Sequence, residues 1–246
     1  MSFPTLQLRA ETKALEYRSA LTPTTAKALI DEGYTVNVER STLRIFDDTD
    51  FEKIGATLVP EGSWPESPAD HIIIGLKELP ENETFPLKHT HVQFAHCYKG
   101  QGGWETVLGR FPRGGGTLLD LEFLTTDGKP KSPRVAAFGY HAGFAGAALA
   151  VQAWSQQLQE KQVASVKPCN TESDLLHHIK RELHDGERRS GKTPRAFVMG
   201  AKGRCGKGAV ELFEKIGLPA DHVLKWDIDE TRDNPGPYVE IAESDM

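Results

Sequence analysis

Apolar and polar side chains alternate over Thr5-Leu-Gln-Leu-Arg-Ala, the period of a half-buried strand. Thr22 then offers a good helix N-cap, and Pro23 suits the first helical position. Ala26, Leu29 and Ile30 make one apolar stripe before Gly33 stops the helix. Tyr34-Thr-Val-Asn-Val-Glu alternates again. Strand, helix and strand at this spacing predict a βαβ unit, and with it a parallel sheet. Phe51 to Gly55 and Ala56 to Val59 predict another short helix and strand. His71-Ile-Ile-Ile-Gly reads as a fully buried strand running straight into Leu76, Lys77 and Glu78. Val92-Gln-Phe-Ala-His is a further strand, ending on His96. Beyond it the pattern predicts a short helix after Gly102, an alternating strand over 116–124 and a partner strand over 134–139.

A helix of small residues follows over 143–154, then a linker over 161–170. Thr171 and Asp174 resemble a capping box, and Leu175, Ile179 and Leu183 mark a buried stripe up to Gly186. A charged loop over 187–192 leads to the apolar run Ala196–Met199. Glycines then fall at Gly200, Gly203, Gly206 and Gly208, and Ala209, Val210, Leu212, Phe213 and Ile216 take helical spacing until Gly217. His222 to Trp226 is a second strand, ending in Asp227, with a loop after it. The pattern as a whole predicts an α/β protein of two Rossmann-like, doubly wound parallel-sheet domains. The first, over 1–140, is a substrate-binding and catalytic domain. The second, over 141–246, is a NAD-binding domain of which only the N-terminal part is present. A dinucleotide domain is built from two βαβαβ halves, and only two strands follow the linker. The chain therefore reads as cut off inside its second domain, with an uncovered edge on the first strand of that domain and a tendency to aggregate.

Ligands of an open parallel sheet collect beyond the carboxyl ends of its strands. Arg9 and Glu11, Lys77 and Glu78, and His96 all sit at such ends, which makes them a candidate site. The glycine turn has the spacing of a phosphate cradle at a helix N-terminus. Asp227 lies about 20 residues further on, where a dinucleotide fold places the carboxylate for the ribose hydroxyls. A P-loop is disfavoured, because Gly208 rather than Ser or Thr follows Lys207. Each residue also has a plainer reading. Lys77 could be a solvated surface lysine, His96 a hydrogen-bonded structural histidine, Arg18 a loop charge and Glu122 the solvent face of a strand. Cys97 and Cys205 read as buried packing residues. His89 and His91 could share one strand face and bind a metal, although no third ligand is placed.

Composition narrows the classes. The 246 residues carry a net charge of -6, which gives nucleic acid no basic field to bind. No apolar run is long enough to span a membrane, and no secretory signal pattern opens the chain. Three cysteines stand far apart, which disfavours a disulfide framework or zinc site and suits a reducing compartment.

The motifs together resemble those of the fungal NAD-dependent, lysine-forming saccharopine dehydrogenases, relatives of alanine dehydrogenase and the transhydrogenase nucleotide domain. The resemblance runs through Leu8-Arg-Ala-Glu-Thr-Lys, Arg18-Ser-Ala-Leu-Thr-Pro, Ile72-Ile-Ile-Gly-Leu-Lys-Glu and Gln93-Phe-Ala-His-Cys-Tyr-Lys. It continues in Asp120-Leu-Glu-Phe-Leu, Arg134-Val-Ala-Ala-Phe-Gly, Ala142-Gly-Phe-Ala-Gly, Gly203-Arg-Cys-Gly and Leu224-Lys-Trp-Asp. It implies oxidation of saccharopine by NAD to lysine and 2-oxoglutarate, the last step of the aminoadipate route of lysine biosynthesis. It further implies Lys77 as the base for the substrate amine and His96 as the acid/base of imine hydrolysis, with Glu78 and Glu122 supporting them. Arg18, Lys77, Gln101, Arg134 and Phe138 match substrate-contacting positions, and Gly203, Arg204, Asp227 and Thr231 match NAD-contacting ones. The chemistry suits those types, since arginines bind carboxylates bidentately and histidine exchanges protons near neutral pH. The same resemblance implies a small-molecule substrate, a monomer, no nucleic-acid or membrane partner, and a cytoplasmic location, with the peroxisome open to a longer form. A non-catalytic fragment that keeps the substrate domain, and an alanine-dehydrogenase-like activity, are the alternatives.

Overall fold

A computed structural model describes residues 3–80, 82–97, 100–129, 132–163, 166–232 and 243–246. The chain divides into two compact units, Met1–Ala136 and Ala137–Met246.

The first unit is built on six parallel strands: β1 (Thr5–Leu8), β2 (Thr35–Glu39), β3 (Thr57–Val59), β4 (Ile72–Ile74), β5 (Thr90–Gln93) and β6 (Thr117–Asp120). Their order across the sheet is β3-β2-β1-β4-β5-β6. The chain winds outward from β1 through β2 and β3, then returns to the other side of β1 and winds through β4, β5 and β6. This is the doubly wound order, with its switch point between β1 and β4. Helix α1 (Pro23–Asp31) starts as the sequence indicates: Thr22 and Thr25 exchange a reciprocal capping box, with Pro23 first in the helix. Of its stripe only Ala26 is fully buried, while Leu29 and Ile30 pack half-buried. Helices α2 (Asp48–Lys53) and α3 (Trp104–Gly114) complete the unit. Leu8, Val36, Val38 and Phe51 fill one apolar cluster, and Trp64, Ile73, Leu87 and Phe111 another.

Two local expectations fail here. Strand β6 stops at Asp120, whose carboxylate accepts the Glu122 N–H at 3.0 Å and starts a 3-10 turn over Leu121–Phe123. Glu122 therefore sits in a turn, not on a strand face. The strand expected over 134–139 reduces to a single antiparallel bridge between Thr125 and Arg134.

The second unit comprises α4 (Gly139–Gln157), α5 (Glu172–Ser190), β7 (Ala196–Met199), α6 (Arg204–Ile216), β8 (Val223–Trp226) and α7 (Ile228–Arg232). Strands β7 and β8 pair in parallel. The three long helices bury Phe144, Val151, Trp154, Ile179, Leu183, Leu212 and Phe213 together with Ala196 and Val198. Helix α5 does not end at Gly186. That glycine lies under Trp154, and a Cβ there would come within 2.1 Å of the indole, so its smallness serves packing. The helix runs on through the charged residues to Ser190, and Gly191 in left-handed geometry ends it. The short helix α7 stands where a loop is expected. The edge of β7 away from β8 is not bare either. Met246 accepts from the Phe197 N–H at 2.8 Å and donates to the Arg195 carbonyl at 3.1 Å, while Asp245 pairs with Lys192 at 2.7 Å. Among the described residues no helix is long and apolar enough to cross a membrane.

Candidate active site

The switch point of the first unit gathers charged groups from distant parts of the sequence. Strand β1 runs into Arg9 and Glu11, β4 into Lys77 and Glu78, and β5 into His96. All of these are ends of neighbouring parallel strands, as the sequence indicates.

Glu78 is the centre of the group. Its carboxylate accepts from the His96 imidazole Nδ1 at 2.8 Å, pairs with the Lys13 ammonium and lies 3.9 Å from the Lys77 ammonium. Partial burial pushes this carboxyl up. The Lys13 contact, its own backbone N–H, His96 and Lys77 outweigh that and hold it at about 2. Glu78 therefore stays a carboxylate across the working pH range, and a carboxylate on Nδ1 leaves Nε2 of His96 for a substrate. His96 itself lies just past β5 with φ +53, a left-handed conformation that a non-glycine residue seldom adopts. That backbone turns its ring back to stack on Phe94, with centroids 6.3 Å apart.

Beside this group the loop after β1 brings Glu16 and Arg18. Arg18 grips Glu16 with two bonds, from Nε at 2.7 Å and from a terminal nitrogen at 2.6 Å. Glu16 is held below the usual carboxylate range, first by that hydrogen bond, against the opposing effect of burial, and also by the charge of Lys77. Arg134 pairs with Glu122, so the structure joins these two sequence candidates to one another. Gln101 is exposed on the segment entering α3, and its carbonyl accepts from Trp104 at 3.1 Å. Phe138 belongs to the second unit, as the half-exposed N-cap of α4. A solvent-open cavity of about 720 Å³ runs along β6, lined by Val92, Cys97, Leu118 and Phe123 among others. It includes none of Lys77, Glu78 or His96.

In the second unit the glycine turn is as tight as its spacing suggests. Gly200 has φ +75, and its N–H and that of Ala201 both bond the Trp226 carbonyl, at 2.7 and 2.9 Å. A Cβ on Gly206 would fall 2.1 Å from the Gly200 carbonyl oxygen, so only glycine lets α6 start this close to the turn. Gly203 is the helix N-cap, and among the described residues no side chain caps the N-terminal N–H groups of α6 around Arg204. Asp227 accepts from the Ile228 N–H at 2.9 Å and the Lys202 N–H at 2.8 Å, and these bonds lower its pKa. Turn and acid are thus joined through Lys202. Thr231 donates its hydroxyl to the Asp227 carbonyl at 3.0 Å.

The other candidates separate. Cys205 is exposed at the start of α6, contrary to the packing role expected of it, and Cys97 is half-buried. His89 and His91 are buried beside Trp64, and among the described residues no group of three metal-ligating side chains forms. Lys13 and Glu16 are not among the candidates that the sequence pattern picks out. Lys13 lies 65 residues from the carboxylate it meets, and no local pattern signals such a contact.

Residues 7–145 match the family model for the alanine dehydrogenase/PNT N-terminal domain. Over 98% of its length the chain is 57% identical to the saccharopine dehydrogenase [NAD(+), L-lysine-forming] of Neurospora crassa, of which it covers 64%. It is 54% identical over its full length to the enzyme of the same name from Schizosaccharomyces pombe, covering 67% of that protein. The chain thus spans about two thirds of the length of the curated relatives it matches. A solved L-alanine dehydrogenase structure superposes with a TM-score of 0.53 at 18% identity, over 91% of this chain and 60% of that one, a likeness of fold alone.

Proposed function

Because this chain belongs to the saccharopine dehydrogenases of the alanine dehydrogenase/PNT family, we propose that its first unit is the substrate-binding, catalytic part of an enzyme oxidising L-saccharopine. The products are L-lysine and 2-oxoglutarate, with NAD as oxidant. The observation that supports this most is the shared carboxylate at the switch point. Glu78 holds His96 and faces Lys77, so two proton-handling groups converge where an α/β sheet binds its ligand.

Lys77 takes the proton from the secondary amine of saccharopine as the adjacent carbon loses hydride. When bound, NAD accepts that hydride. Water then adds to the resulting imine, with His96 taking its proton through Nε2 and returning one to the nitrogen as the carbinolamine collapses. Glu78 keeps the His96 tautomer fixed throughout and stabilises the imidazolium that forms. Arg18 and Arg134 supply guanidinium groups for the three carboxylates of the substrate, with Gln101 at its margin. Glu16 and Glu122 hold the two arginines until substrate carboxylates take over. In the second unit the turn at Gly203 and the N-terminus of α6 at Arg204 fit a pyrophosphate, and the half-buried Asp227, flanked by Thr231, fits ribose hydroxyls. A monomer in the cytoplasm, acting on a small molecule, is the organisation this reading carries.

A protein of the relatives' full length that contains this chain tests the proposal. It is expected to oxidise saccharopine far faster than alanine, and to prefer NAD to NADP because the Asp227 carboxylate repels a 2′-phosphate. Alanine as the better substrate, or a higher kcat/KM with NADP, would overturn the assignment.

A further inference from the structure

We propose that Arg9 and Glu11 form a positioning bracket that fixes the backbone of Lys77, and with it the direction of the Lys77 ammonium. The inference rests on the catalytic reading of Lys77 above.

Past Ile74 the chain leaves β4 and must still satisfy its peptide groups in a buried setting. Glu11 does this with both carboxylate oxygens. Oε1 accepts from the Leu76 N–H at 2.7 Å and Oε2 from the Lys77 N–H at 3.0 Å. Arg9 takes the other side of the same residue, donating to the Lys77 carbonyl. Its guanidinium lies 3.6 Å from Glu11 and reaches Gln93 at 3.4 Å. Both side chains are buried, with 1% and 6% of their surface exposed. The N–H and C=O of Lys77 are therefore both held by side chains from the segment that follows β1, on the far side of the switch point. A backbone held at both polar groups leaves the side chain only its own rotamers.

Gly75 is part of this device. A Cβ at that position would stand 2.4 Å from Arg9 Nε and 2.6 Å from its central carbon, so only glycine leaves room for the guanidinium under the β4 exit. Burial lowers the affinity of the Arg9 guanidinium for its proton, and Glu11, Glu39, Glu83 and Glu78 around it offset this only in part. Glu39 is itself occupied by backbone N–H groups of Ala10, Gly62 and Trp64. Glu11 is left as the carboxylate that joins Arg9 to Lys77.

Three variants test the bracket: Glu11→Gln, Glu11→Asp and Gly75→Ala. The first replaces one acceptor by an NH2 donor facing backbone N–H groups. The second keeps the charge but shortens the reach. The third displaces Arg9 and leaves Glu11 in place. In the chain itself, amide exchange at Leu76 and Lys77 is measured together with the acetylation rate of Lys77 relative to the other lysines, by peptide mapping. Both are expected to change in Glu11→Gln and Gly75→Ala, with amide protection in β1 and β2 retained. Glu11→Asp should recover part of the difference. In the full-length protein kcat for saccharopine is expected to fall on the order of 10²-fold, with the KM for NAD unchanged, as a displacement of about 1 Å in a reacting group produces. Wild-type exchange and acetylation at Lys77 in Glu11→Gln and Gly75→Ala would overturn the bracket. So would altered exchange with an unchanged kcat. Absence of saccharopine oxidation by the wild-type protein would instead overturn the functional reading and leave the exchange measurement to judge the bracket.

Discussion

Lys77→Met and His96→Gln are each expected to lower the turnover number for saccharopine by about 10²- to 10⁴-fold, the contribution of a positioned acid or base. The KM for NAD should move little, because the groups proposed for the cofactor lie in the other unit. The two losses should differ in kind. Removing Lys77 takes away the group that frees the amine for hydride loss, so single-turnover NADH formation slows. Removing His96 spares that step and slows hydrolysis, so a burst of NADH is expected before a slow steady state. Glu78 stays ionised throughout, held at about 2, and lends no titration of its own near neutrality. Near wild-type turnover in both variants would show that the proton-handling groups are elsewhere.

Acid should destabilise the first unit well before its carboxylates protonate, and His91 is the reason. Its ring is fully buried, set edge-on to Trp64 at 5.0 Å, and among the described residues neither ring nitrogen has a hydrogen-bond partner. Burial first, then the nearby His89, Arg9 and Arg110, lower its pKa from 6.5 to about 3. The folded protein thus keeps His91 neutral, while the unfolded chain takes up a proton as pH falls below 6.5. Stability is full above that value and declines as pH falls towards 3, at up to about 1.4 kcal/mol per pH unit for the one proton. Over the whole window the loss amounts to roughly 4 kcal/mol, a large share of a typical domain's stability. Glu78 adds a separate loss only between 4.5 and about 2, as its own ion pairs are protonated away. Urea unfolding at pH 7 and pH 5 reads this window, in which His89, also held below its usual range first by burial, adds to the loss. His91→Leu should be close to wild type at pH 7, since no ring hydrogen bond is lost, and should be less sensitive to pH. An equal pH dependence in the two proteins would remove His91 as the cause.

Much of this arrangement is legible in the sequence because it is periodic. Alternation at Thr5–Leu8 and Thr35–Glu39, the Ile72–Ile74 run and the Thr22–Pro23 start of α1 are local signals, and the fold uses them directly. Strand ends follow from the strands, so Lys77, Glu78 and His96 could be placed on one sheet edge without coordinates. What the sequence concealed depends on contacts between distant segments. Gly186 looks like a helix stop, but it is a packing site for Trp154, 32 positions earlier in the chain. Glu122 alternates as a strand residue should, yet the side chain of Asp120 captures its N–H and ends the strand. The φ of His96 and the reach of Lys13 to Glu78 have no periodic signature at all.

Lys77 and His96 are expected to meet one substrate together, through the Glu78 carboxylate they share. Side-chain NMR of the chain during titration with saccharopine tests this most directly, following the His96 ring and the Lys77 ammonium in the absence of cofactor. Both signals are expected to shift along one saturating curve, with the buried His89 and His91 rings unchanged. Saccharopine that binds while leaving His96 and Lys77 unmoved would contradict it.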